Sequence, residues 1–141
     1  MKTQSVTITN AQLIETYDAM RKLGESNSKN QDLAKKFARI LLILEAKLRL
    51  YQTARNNLLR SNAVKNEHGE IAYIDQYQQS PRMKWEFQSA MADLENDKVS
   101  FRCEQLGDED LADVRNANML VALNPLLEHG LTYEDGNQSQ L

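Results

Sequence analysis

The sequence predicts an α+β fold, mainly α: a long antiparallel helical hairpin with a small two-stranded antiparallel sheet at one end. Three observations predict it. Helix-favouring Leu, Ala, Lys, Glu, Gln and Arg are abundant, while Pro and Gly together number seven among 141 residues. An apolar stripe recurs at intervals of three, four and seven through residues 32–62. Two short segments, one near the start and one near residue 100, alternate apolar and polar side chains as strands do. The length suits one domain, expected over 1–130, with a flexible polar tail over 131–141.

Val6 and Ile8 alternate with Thr7 and Thr9, which reads as a strand. Thr9 and Gln12 have capping-box spacing, and Leu13, Tyr17 and Met20 follow on one face, so a helix is expected over 10–23. Gly24 reads as its C′ stop. After the polar break GESNSKNQ, Asp32 opens a second helix where the dipole favours an acid. Leu33, Phe37, Ile40, Leu44, Leu48, Tyr51 and Leu58 then form one stripe, widened by Leu41, Ile43 and Leu59. A helix over 32–62 is about 45 Å long, more than a compact domain of this size usually needs. Another helix or another subunit must cover the stripe, so these seven residues are the candidate interface.

KNEHGE at 65–70 signals a turn, with Gly69 free to take positive φ, and IAYI at 71–74 reads as a short extended piece. Ser80–Pro81 has the form of a helix start. Met83, Phe87, Ala90, Met91 and Leu94 would be the apolar face of a helix over 81–96, with Trp85 off that face. Val99, Phe101 and Cys103 alternate with Ser100, Arg102 and Glu104; this strand, over 98–106, is expected to pair with the first. An acidic turn from Gly107 reaches Val114. Met119, Leu120, Leu123, Leu126 and Leu127 form a last helical segment that Pro125 restarts and Gly130 ends.

The formal net charge is only −3, but it is segregated. Residues 33–65 hold eight basic side chains and one acid, a local +7; residues 104–141 hold eight acids and only Arg115, a local −7. The acidic third is expected to neutralise the basic helix, within the chain or in a neighbour. The competing expectation is a polyanion surface made by Lys35, Lys36, Arg39, Lys47, Arg49 and Arg55. Phe37 and Tyr51 lie on the apolar stripe and are not interleaved for base stacking, and the chain as a whole is acidic, so nucleic acid is the weaker partner class.

The residues give no support for catalysis, a metal or a cofactor. His68 falls in a turn and His129 in the last turn of a helix; no serine stands in a nucleophile elbow. Cys103 reads as a buried, inert thiol, and one cysteine rules out an internal disulfide. Asp108, Glu109, Asp110 and Asp113 lack the spacing of a calcium loop, and all five glycines are isolated. No leader pattern and no run of ~18 apolar residues is present, so a cytoplasmic protein without a membrane partner is expected.

The order of elements, from VTITNAQL through the basic helix, NEHGEI, a helix, a strand and LGDEDL to an apolar ending, resembles a family of short tailed-phage proteins of uncharacterised function, the DUF1617-like group. The likeness is one of pattern over about 3–130; SPRMKWEF and the segment after Gly130 depart from it. It implies a phage origin, hence the host-cell cytoplasm, and a non-enzymatic accessory role, with no catalytic residues to carry over. The function expected is an oligomeric protein-binding or assembly module whose first partner is itself. The alternatives are an anti-defence or host-takeover protein that binds a host protein or nucleotide signal, and a nucleic-acid binder using residues 33–65.

Overall fold

The computed structural model describes residues 3–26, 30–77, 80–112 and 114–128. The elements run β1 (Thr3–Thr9), α1 (Asn10–Ser26), α2 (Gln31–Asn62), α3 (Phe87–Asn96), β2 (Lys98–Glu104) and α4 (Ala117–Leu123), with 3-10 turns at Asp108–Leu111 and Asn124–Leu126. The fold is thus α+β and mainly α. The expected tail 131–141, His129, Gly130 and Asp113 lie outside the described residues.

β1 and β2 pair antiparallel, with Val6 opposite Phe101 and Ile8 opposite Val99. The two-residue side-chain period puts Val6, Ile8, Phe101 and Cys103 on the buried face. The solvent face is polar: Thr7 Oγ1 meets Ser100 Oγ at 2.8 Å, and Arg102 donates to Ser5 and Thr3. The capping box forms, with Gln12 N–H donating to Thr9 Oγ1 at 3.1 Å and Thr9 N–H to Gln12 Oε1 at 2.9 Å.

Gly24 does not stop α1, which continues to Ser26. A Cβ placed on Gly24 would stand 3.7 Å from Leu41 Cδ1 and 4.0 Å from Phe37 Cβ. The glycine lies within the helix at ordinary packing distance from α2 and forms no left-handed cap. α2 starts on Asn30, whose Oδ1 accepts from Leu33 N–H at 3.1 Å. Its 32 residues make a rod of about 48 Å.

One core joins these parts. Leu13, Met20 and Leu23 of α1 meet Phe37, Ile40 and Leu44 of α2, with the sheet's inner face, Leu106, Leu123 and Leu126 closing it. The last segment is latched by backbone: Leu106 N–H donates to Leu126 O and Glu128 N–H to Leu106 O, both at 2.8 Å, while Thr16 Oγ1 donates to Ala122 O.

The helix expected over 81–96 is shorter, because its first residues are used differently. Pro81 pairs with Tyr73, Arg82 N–H donates to Ala72 O and Lys84 N–H to Asn62 O, so the chain stays extended through Lys84 and turns at Trp85–Glu86 into α3. The fixed φ of proline suits an extended segment as well as a helix start, and here tertiary hydrogen bonds decide. α3 then runs back beside the far part of α2 and ends where Asn10 Nδ2 donates to Leu94 O at 2.8 Å.

Candidate interaction surfaces

The stripe of α2 divides along its length. Phe37, Ile40 and Leu44 are core residues of the single chain, at 0–1% exposure, and Leu33 and Leu48 border that core. For Phe37, Ile40 and Leu44, of the two covers expected for the stripe, α1 and the sheet of the same chain supply it. Further along, Tyr51 is buried and Leu58 half-buried.

The basic residues divide too. Arg39 grips Glu104 with two hydrogen bonds, Nε to Oε1 at 2.6 Å and one Nη to Oε2 at 3.0 Å. Lys36 Nζ reaches Asp110 Oδ2 at 2.5 Å, and the same oxygen accepts Gly107 N–H at 2.9 Å. Both carboxylates are buried. The hydrogen bonds from Arg39 hold the Glu104 carboxyl below its ordinary range against the opposing effect of burial. Two acids of the C-terminal third therefore neutralise two cations of α2 within the chain. An open cleft of about 420 Å³ over these pairs is also lined by Asp32, Glu109 and Glu128, so its charge is net acidic and repels a polyanion from Lys36 and Arg39. Lys35, Lys47, Arg49 and Arg55 have no ion pair among the described residues.

Asp110 is committed to Lys36 and Gly107, while Asp108 and Glu109 face solvent. Among the described residues, no three His, Cys, Asp or Glu side chains converge as a metal site would require. Cys103 is buried under the sheet, and burial pushes its thiol up to about 11. His68 lies on the exposed turn around Gly69, whose φ is +80°. No helix among the described residues is long and apolar enough to cross a membrane.

The surface feature that the sequence did not reveal is the segment 63–86, a head at the far end of α2. Three extended stretches there join in a ring: Val64 N–H donates to Arg82 O at 2.8 Å, Arg82 N–H to Ala72 O at 2.8 Å, and Ala72 N–H to Val64 O at 2.9 Å. Each stretch pairs with both others, through Ala63–Met83, Lys65–Ile71 and Tyr73–Pro81. The ring satisfies backbone groups that a lone hairpin would leave open along its edge. It also turns apolar side chains outward: Trp85 is 87% exposed, Tyr77 71% and Ile74 62%, with Ile71 less so. An open cleft of about 460 Å³ is lined by Trp85 itself together with Met83, Lys84, Phe87 and Gln88. Only the position of Trp85 off the helical face hinted at this in the sequence.

These features define a mainly helical α+β protein with a packed body and, after the long helix, a segment that exposes several large apolar side chains among charged ones. No family model, curated protein or solved structure matches the chain.

Proposed function

We propose that this chain is a non-enzymatic association module, assembling with copies of itself or docking a protein partner through the far end of α2. One observation carries the reading: half of the chain's large exposed apolar side chains among the described residues, Ile71, Ile74, Tyr77 and Trp85, belong to the short head. Single exposed apolar residues are ordinary, and it is their number within one short segment that supports an interaction site there. An accessory role in a tailed phage, in the host-cell cytoplasm, is supported by the pattern resemblance alone. Light scattering across a concentration series at low and high salt tests the reading. It expects a mass above that of one chain, rising with concentration and surviving salt, because the contact is apolar. A strict monomer that also retains no protein from a host lysate refutes it.

A second reading is favoured by Lys35, Lys47, Arg49 and Arg55, which lack acidic partners among the described residues. It makes α2 a polyanion surface. Its test is a gel shift with duplex and single-stranded DNA: binding should fall steeply with salt, and no shift at low salt removes it.

A further inference from the structure

We infer that the outward side of α2 is a docking face for an acidic amphipathic helix of a partner protein, which crosses α2 over Ala46. Ala38, Leu42, Ala46 and Leu50 follow one another at intervals of four, so on one continuous helix they stand in a single ridge. All four are exposed, and Leu42 and Leu50, at 67% and 66%, are the barest large aliphatic side chains among the described residues. The ridge lies on the side of α2 away from Phe37, Ile40 and Leu44, so the contacts that fold the chain leave it uncovered. Ridges of residues four apart interdigitate with their like on a second helix at a crossing of about 50°. The two leucines are separated by about 12 Å along the axis, and the small Ala46 between them lets the second helix come close.

Charge selects the occupant. Lys35, Arg39, Lys47 and Arg49 each stand three residues along the helix from a member of the ridge and so border it; Glu45 is the one acid that does. Arg39 is held by Glu104, but Lys35, Lys47 and Arg49 have no ion pair among the described residues. A second copy laid ridge to ridge would set these cations against their like, which counts against self-association on this face. A phosphate backbone would satisfy the cations but put charged oxygens, rather than apolar atoms, against Leu42 and Leu50. An anionic bilayer would meet Asp32, Glu109 and Glu128 in the cleft that Arg39 also lines. A helix with apolar side chains on its own ridge and carboxylates beside it matches leucines and cations together. This site is separate from the head, and it gives the basic face of α2 a protein ligand in place of the polyanion considered above.

The probe is a synthetic heptad peptide with Leu at its a and d positions and Glu at e and g, whose like charges keep it from pairing with itself at neutral pH. It is titrated into the isotopically labelled intact chain and followed by backbone amide shifts. Shifts should gather at residues 38–54 and leave residues 71–77 and 80–88 unchanged. Leu42→Ser and Leu50→Ser should each weaken binding at least about ten-fold, the effect of losing one buried leucine. Arg49→Glu should weaken it as well and reduce its fall with salt. All three changes are at exposed positions, and an unchanged circular dichroism spectrum will show that the fold persists. Duplex DNA is the second arm: it should bind less tightly than the peptide at the same salt. A peptide that leaves residues 38–54 unshifted at millimolar concentration overturns the inference, and so does binding that survives both leucine variants. DNA that binds more tightly than the peptide, and equally well to the leucine variants, gives the face to a polyanion instead. None of these outcomes bears on association through the head, which is read from the mass of the chain.

Discussion

Leu44 and Leu42 are two leucines of one helix with opposite fates, and truncating each measures whether the stripe of α2 is core. Leu44 has no exposed surface and packs in the cluster with Phe37, Ile40 and the α1 leucines, whereas Leu42 is 67% exposed. Leu44→Ala removes buried carbons and leaves a cavity, which costs about 3–5 kcal/mol in a well-packed interior. For a domain of this length, 1 kcal/mol corresponds to roughly 3 °C, so the melting temperature should fall by about 9–15 °C. Leu42→Ala removes the same carbons from water and should stay within about 0.5 kcal/mol. Differential scanning calorimetry at several protein concentrations is the assay. The Leu44→Ala loss should not depend on concentration, because α1 and the sheet of the same chain provide the cover. A loss for Leu44→Ala that grows or shrinks with concentration would place the stripe between subunits, and equal small losses for both variants would refute the packed core altogether.

Three further outcomes follow from particular contacts. Gly24→Ala should stabilise the chain by about 0.5–1 kcal/mol in urea denaturation, because the site is inside a helix and its new methyl meets Leu41 and Phe37 at ordinary contact distance. Glu104 is held below the ordinary carboxyl range by Arg39, so its ionised form stabilises the fold above that range and the contribution disappears as pH falls through the lowered value. Glu104→Gln should therefore flatten the acid limb of a stability–pH curve. Near neutral pH it should cost about 1 kcal/mol, a figure kept small because Arg39 is itself half in water. Cys103, buried and with its thiol raised to about 11, should resist a disulfide reagent in the native chain at neutral pH and react rapidly in denaturant.

The parts of the fold that were legible in the sequence are those written as a period. Alternation at Val6 and Ile8 and at Val99, Phe101 and Cys103 gave both strands, and the stripe from Leu33 to Leu58 gave a helix within a residue of its observed ends. What a period cannot tell is who covers it. The stripe looks the same whether its cover is α1 or another subunit, and the packing of Leu13, Met20 and Leu23 against Phe37, Ile40 and Leu44 decides the matter for the near half. Gly24 and Ser80–Pro81 were misleading for a common reason: each residue type serves two purposes, and tertiary contacts select the one used. Segregated charge foretold neutralisation, but not that Arg39 would find Glu104 and Lys36 would find Asp110, since those pairs depend on how β2 lies across α2. The head left least trace. Its three stretches share hydrogen bonds in a ring, with one bridge per pair, and so never build a run long enough to register as a strand.

Hydrogen exchange on the intact chain, compared between dilute and concentrated solution, tests the central claim most directly. Association through the head predicts that amides around residues 71–88 slow as the protein is concentrated, while those around Phe37, Ile40 and Leu44 exchange equally slowly at both concentrations. Protection gained along α2 with the head unchanged, or no gain anywhere while two-chain mass accumulates, would contradict it.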